Sequence, residues 1–134
     1  RIDVGRPMDD ALPAAFEMVL GAKAGAIFVL PDEPQFLTRR VEIVAFAAKH
    51  RLPAFYGGRE AVDEGGLMSY GENLRTAYRN AASYVTKVMR GATPSDLPVS
   101  QPTKFELVIN MKTAQTLGIT IPQTVLLSAD EVIE

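Results

Sequence analysis

Apolar residues along this chain follow two spacings, one typical of helices and one typical of buried strands. They recur every three or four positions over residues 9–23, 35–49 and 73–89, which are predicted to form amphipathic helices. The continuous apolar run at residues 26–30 is instead typical of a strand that is covered on both faces. The chain is therefore predicted to alternate between the two kinds of element.

Shorter segments extend this alternation. Further strands are predicted at residues 1–4, 53–56, 66–70 and 105–109, and short helices at residues 59–64 and 111–117. Asn110 is a favoured cap for the last of these helices and Gly118 a favoured stop. The tail after Pro122 is predicted to form a short helix or a strand. Strands that alternate with helices over short links predict a three-layer α/β fold, with a mostly parallel sheet and helices on both faces.

Composition narrows the possible functions only slightly. At 134 residues the chain is sized for one domain. Its net charge of -2 gives no electrostatic reason to bind nucleic acid or an anionic membrane. It has no cysteine, which excludes disulfides, thiolate metal sites and a cysteine nucleophile. No apolar run approaches the roughly 18 residues that span a bilayer, and no signal peptide is visible.

Ligands of parallel α/β sheets bind beyond the carboxyl ends of the strands, which directs attention to the loops after Leu30, Tyr56 and Tyr70. In the first of these loops, Asp32 offers a carboxylate that is able to accept hydrogen bonds from a ligand amine. Asp32 is equally suited to cap the helix that follows, where an anion is stabilised. The two roles are compatible, and the sequence leaves both open.

The other two loops carry hydroxyl and aromatic groups. Residues 65–71 combine glycines, which permit close backbone approach, with the side chains of Ser69 and Tyr70. This segment lacks the spacing and the lysine of a phosphate-binding loop, and a glycine-rich entry to a strand without ligand contact stays open. Tyr56 forms either an aromatic wall for a ligand or a half-buried residue of a turn.

The chain has few groups suited to catalysis. His50 is the only histidine, so zinc and Cys–His chemistry have little support. No serine lies in a GxSxG elbow, and the carboxylates are spread along the chain. Tyr78 and Tyr84 lie on the apolar stripe of a predicted helix, where core packing is expected. The sequence thus predicts no catalytic site, no metal and no cofactor, and it favours binding over turnover.

Three segments of the chain resemble the ABC-transporter substrate-binding proteins of the tryptophan or aromatic type. They are residues 65–71 (GGLMSYG), 90–99 (RGATPSDLPV) and 105–122 (FELVIN to ITIP). The order and spacing of these segments together make the resemblance specific. Residues 26–56 resemble the strand, Pro-Asp loop, helix and strand of the same family, so the resemblance spans nearly the whole chain.

The resemblance implies a type I periplasmic-binding-protein-like fold, in which a hinge joins two α/β lobes that close on a ligand. Residues 1–68 and 105–134 would then be elements of the C-terminal lobe. Residues 69–104 would contain the hinge, the third long helix and a crossing segment, and would pack on the N-terminal lobe. The N-terminal lobe and the first strand–helix unit of the C-terminal lobe are absent, so the chain is expected to be the C-terminal portion only.

The same resemblance implies a solute-binding component of an ABC importer, not an enzyme. Asp32, Tyr56, Ser69 and Tyr70 would face the cleft and bind a small organic ligand, such as an amino acid or another aromatic compound. The partners would be a membrane permease and its ATPase. The protein would act in the periplasm or at the outer face of the cell membrane, after export by a signal that lies outside these residues.

Two other interpretations stay open. One is a ligand-sensing regulatory domain of the same fold, and the other, with less support, is a small flavodoxin-like enzyme. Without its partner lobe, the third helix would expose apolar surface, and the sheet would have an open edge that is free to pair. The chain by itself is therefore expected to form a homodimer.

Overall fold

A single sheet lies at the centre of the fold. The computed structural model of the chain describes residues 8–30, 34–99, 101 and 104–134. Within these ranges the strands pair in chain order, as β1 (Ile27–Val29), β2 (Ala54–Tyr56), β3 (Met68–Glu72), β4 (Phe105–Asn110) and β5 (Glu131–Ile133). β1, β2 and β3 are parallel, β4 is antiparallel to β3, and β5 is parallel to β4. This confirms the predicted α/β fold with a mostly parallel sheet. The strand predicted at residues 1–4 lies outside the described residues.

Each connection between consecutive strands contains at least one helix. They are α1 (Met8–Gly21), α2 (Pro34–Thr38), α3 (Arg40–Lys49), α4 (Arg59–Asp63), α5 (Leu74–Met89), α6 (Met111–Leu117) and α7 (Gln123–Leu127). The single helix predicted over residues 35–49 is divided at Arg39, whose backbone angles of φ -100° and ψ 13° interrupt the helical path. The N–H of Ile43 then donates to the Arg39 carbonyl oxygen at 3.2 Å and begins α3. The tail contains both a helix, α7, and a strand, β5.

Apolar clusters cover both faces of the sheet. Tyr56 pairs in register with Ser69, and Ser69 with Val108, so these three side chains share one face. Helices α1, α3 and α4 cover that face; the buried members of their cluster are Leu12, Ile43, Val44, Ala47, Ala54, Tyr56 and Ala61. Helices α6 and α7 cover part of the opposite face; the buried members of that cluster are Leu67, Ile109, Ala114 and Ile121.

Helix α5 lies apart from both clusters, since none of its residues is buried. Tyr78 is 71% exposed, so the prediction that it packs in the core is wrong for the described part of the chain. Asn73 caps the helix, since its side-chain oxygen accepts from the Thr76 N–H at 3.1 Å, and attaches it to β4, since its side-chain amide donates to Oε2 of Glu106 at 2.8 Å. Near its end, the Tyr84 hydroxyl donates to the Pro98 carbonyl oxygen at 2.6 Å. α5 is thus held by hydrogen bonds, and much of its apolar stripe is exposed, including Tyr78, Val85 and Val88.

Candidate functional site

The carboxyl ends of the parallel strands meet at one edge of the sheet, which is the edge where ligands of such folds bind. Here the backbone leaving β2 comes very close to β3. A Cβ atom added to Gly71 would lie 1.8 Å from the carbonyl oxygen of Gly57. Only a residue without a side chain allows this approach, and the glycines at this edge therefore set the distance between the two strands.

Tyr56 and Ser69 lie side by side at this edge. They are neighbours in register on β2 and β3, and they are only 3% and 1% exposed. Neither hydroxyl has a hydrogen-bond partner among the described residues. Buried polar groups usually have partners, so two adjacent unpaired hydroxyls are unusual and point to groups that the described residues do not supply.

Tyr70 lies on the opposite face of the sheet, because successive side chains of a strand alternate. It is 53% exposed, and its ring stacks on Phe105 with a centroid distance of 5.6 Å and an interplanar angle of 24°. The structure therefore brings Tyr56 and Ser69 together and separates Tyr70 from them. Asp32, the fourth predicted contact, lies outside the described residues.

The face that carries Tyr70 also carries further exposed rings. Phe28 of β1 is 60% exposed and contacts Phe55 of β2 edge to face, with ring centroids 5.2 Å apart. With the stacked pair of Tyr70 and Phe105, this gives two separate aromatic pairs on the same face of the sheet. The sequence alone does not single out Phe28, Phe55 or Phe105. Only the pairing of the strands brings these residues onto a common face.

Glu60 is a second group that the sequence alone does not single out. It lies in the first turn of α4, two positions after Gly58, which follows the end of β2. Its Oε2 atom is buried and has no hydrogen-bond donor among the described residues. A Cβ atom on Gly58 would lie 2.7 Å from this oxygen, so the glycine leaves room for the carboxylate against the backbone. The available signal was an acidic residue two positions after the glycines of a strand end.

The arginine next to Glu60 is turned to other carboxylates. Arg59 donates to Glu131 at 2.9 and 3.2 Å and to Asp63 at 3.4 Å. These hydrogen bonds, first to Glu131 and then to Asp63, raise the pKa of Arg59 above its ordinary value. Arg59 therefore ties α4 to β5 and is not placed to pair with Glu60.

A groove of about 580 Å³ runs between α5 and residues 94–99 and 101. Tyr84 and Val88 line its helical side, and Leu97 and Val99 line the other side.

Across the described residues, no group of three or more His, Cys, Asp or Glu side chains is placed to hold a metal ion. Over the same residues, no helix has the length and apolarity required to cross a membrane.

Tyr56 makes the stability of the protein depend on pH in the alkaline range. Burial raises the pKa of Tyr56 to about 12, from an ordinary value of about 10. The neutral hydroxyl is thus favoured by folding, and its contribution to stability is complete below pH 10 and is lost as the pH rises towards 12. We expect the free energy of unfolding of the wild type to fall more between pH 9 and 11 than that of Tyr56→Phe. Urea unfolding measures this, with Tyr78→Phe as a control that should follow the wild type. Equal losses for wild type and Tyr56→Phe would contradict the assignment.

A sequence model of one protein family, described as ABC transporter substrate binding protein, matches residues 14–133. That match covers well over half of the chain. No curated protein matches the chain. The family is one of binding proteins, which agrees with the absence of catalytic groups expected from the sequence.

Solved structures are also similar to this chain. A conserved domain protein from Vibrio cholerae is 28% identical with a TM-score of 0.80, over 89% of this chain and 40% of that one. An ABC domain from Streptococcus pneumonia in complex with L-Trp is 32% identical with a TM-score of 0.77, over 86% of this chain and 39% of that one. CD0873 from Clostridium difficile, a substrate binding protein with adhesive properties in its ligand-free form, is 17% identical with a TM-score of 0.58. The match covers 92% of this chain and 40% of CD0873, and it shows a shared fold. The chain thus spans about 40% of the length of these structures.

Proposed function

Because this chain belongs to the family of ABC transporter substrate-binding proteins, we propose that it forms part of the solute-binding component of an importer. The resemblance found in the sequence is confirmed by the family match over residues 14–133, which is the observation that carries the proposal. The family consists of binding proteins, so the prediction that the chain is not an enzyme is confirmed as well. The proposed protein binds a small organic ligand outside the cytoplasm and delivers it to a membrane permease and its ATPase.

The proposed binding site lies between two lobes. Residues 1–68 and 105–134 contribute elements of the C-terminal lobe, and residues 69–104 contribute the hinge, α5 and a crossing segment. Two observations support this arrangement. α5 buries none of its residues within the described part of the chain, and an apolar groove lies along it. The chain also spans about 40% of similar structures, which leaves sequence enough for a second lobe.

The proposed ligand is an amino acid, with an aromatic one as the first candidate. The structure from Streptococcus pneumonia that is 32% identical to this chain contains L-Trp. The proposed contacts are Asp32, Tyr56, Ser69 and Tyr70. Support comes from the unpaired hydroxyls of Tyr56 and Ser69, which are register neighbours. Tyr70 lies on the other face of β3 with its ring 53% exposed, so the proposed ligand reaches it from beyond the carboxyl ends of the strands. An exposed aromatic ring is suited to stack on an aromatic ligand.

The test is thermal unfolding of the full-length protein with L-tryptophan and a panel of other amino acids. A ligand that binds the native state raises the free energy of unfolding by about 2.7 kcal/mol at a concentration of 100 Kd. Replacing Tyr70 with alanine should weaken binding of the aromatic ligand about tenfold, since a well-placed aromatic contact contributes on the order of 1 kcal/mol. Tyr70→Phe keeps the ring and should bind nearly as the wild type does.

Two outcomes would count against this proposal. If no amino acid shifts the unfolding transition, the proposed ligand class is wrong. If Tyr70→Ala binds the ligand as tightly as Tyr70→Phe, the ring of Tyr70 does not contact the ligand.

A further inference from the structure

Resting on the function proposed above, we propose that Glu60, with Ser69, holds the ammonium group of the ligand. Glu60 has a carboxylate oxygen that lacks a hydrogen-bond donor. Oε2 of Glu60 is buried, and no described residue donates to it. Burying a carboxylate oxygen without a donor is costly, and native proteins keep few such groups. A cationic donor from outside the described residues would remove this cost.

The position of Glu60 matches a ligand site. It belongs to the first turn of α4, and α4 starts where β2 ends, at the ligand-binding edge of the sheet. Gly58 has an extended backbone, and a Cβ atom there would lie 2.7 Å from Oε2. A side chain at position 58 would require the Glu60 carboxylate to shift from its present position.

Ser69 lies on the sheet face that α4 covers. Ala61, the residue after Glu60, packs in the same cluster as Tyr56, and Tyr56 is the register neighbour of Ser69. The side-chain amide of Asn110 donates to the Val62 carbonyl oxygen at 3.5 Å and links α4 to β4. One unpaired acceptor thus comes from the helix, and another comes from the sheet beneath it.

The chemistry of these two groups selects the kind of ligand. A carboxylate oxygen and a hydroxyl both accept hydrogen bonds, and an ammonium group donates three. A carboxylate repels anionic groups, which excludes a phosphate or a ligand carboxylate at this point. The two arginines that contact α4 have carboxylate partners other than Glu60, since Arg59 binds Glu131 and Arg40 binds Glu64 at 3.1 Å. The buried Nε atom of Arg40 has no partner among the described residues. The group that fits is the primary amine of a small ligand.

Calorimetric titration of the full-length protein tests this assignment. L-tryptophan and indole-3-propionate differ by the ammonium group, and the ratio of their affinities therefore reports on the site that holds this group. We expect the wild type to prefer L-tryptophan by at least about thirtyfold, which is the lower end of the effect of removing one partner of a buried charge pair. Glu60→Gln should lose most of this preference and retain its affinity for indole-3-propionate. Glu17→Gln makes the same change at an exposed position of α1 and should keep the preference.

A second measurement separates the role of Glu60 from the proposed function. Without ligand, Glu60→Gln changes a side chain whose buried Oε2 atom has no donor among the described residues, so its unfolding temperature should equal or exceed that of the wild type. A lower unfolding temperature than that of Glu17→Gln would show that Glu60 has a structural partner, and would overturn the inference. An unchanged preference in Glu60→Gln would also overturn it. If the wild type binds neither compound, the proposed ligand class fails, while a more stable unliganded Glu60→Gln still supports a carboxylate that lacks its cation.

Discussion

Replacing Gly71 with alanine is expected to lower the free energy of unfolding by about 3 kcal/mol, at the upper end of the usual cost of overpacking. The new Cβ atom would lie 1.8 Å from the carbonyl oxygen of Gly57 and 2.8 Å from its carbonyl carbon. Both are backbone atoms, and no rotation of a side chain relieves the contact. β2 and β3 must therefore separate at the edge that holds Tyr56 and Ser69, so Gly71→Ala should weaken ligand binding as well.

Urea unfolding of the variant measures this effect. Gly25→Ala is the matched control, because a Cβ atom on Gly25 meets nothing within 4 Å. Its free energy of unfolding should stay within about 0.5 kcal/mol of the wild type, as for most exposed substitutions. Equal midpoints for Gly71→Ala and Gly25→Ala would show that the edge of the sheet opens easily, and that the close approach of β2 to β3 is not needed for stability.

Much of the fold was predictable because its signals are local. The apolar run at residues 26–30 contains β1, and Asn110 caps α6 as predicted, with its side-chain oxygen accepting from the Thr113 N–H at 3.1 Å. Gly118 ends α6 in the left-handed conformation that favours glycine, with φ 73°. Each of these features depends on residues within a few positions of one another in the chain.

The candidate site was less predictable because it depends on the pairing of distant strands. Ser69 and Tyr70 are consecutive residues, yet one is 1% exposed beneath α4 and the other is 53% exposed on the opposite face. Tyr56 is deeply buried, which follows from the packing of α3 and α4 over β2. Glu60 gave little signal in the sequence, because the absence of a donor for its Oε2 atom is visible only when the surrounding atoms are placed.

The burial of helix α5 could not be predicted from the sequence for a different reason. Its apolar residues recur at helical spacing, and the helix itself forms as predicted. Whether the stripe is buried depends on surfaces outside the described residues. The helical spacing predicted that Tyr78 packs in a core, but Tyr78 is 71% exposed. The resemblance to two-lobed proteins had instead predicted that this helix packs on another lobe.

Hydrogen exchange of α5 should therefore differ by about a thousandfold or more between the 134-residue chain and the full-length protein. A 16-residue helix without buried residues is marginally stable, so its amides in the short chain should exchange with little protection. Burial of its stripe against a second lobe should add about 4 kcal/mol or more to the cost of opening, which corresponds to that factor. The amides of Val108 and Ile109, which are fully buried in β4, should be protected in both forms and serve as the control.

The pattern of protection also identifies what covers the helix. If α5 is protected only in the full-length protein, the stripe packs on the part of the protein beyond these residues, as the two-lobe proposal requires. If α5 is protected in the short chain and the protection rises with concentration, a second copy covers it, and the expected homodimer accounts for the exposed stripe. Equal and weak protection in both forms would contradict the two-lobe proposal, because the groove beside Tyr84 and Val88 would then be open to solvent in the complete protein.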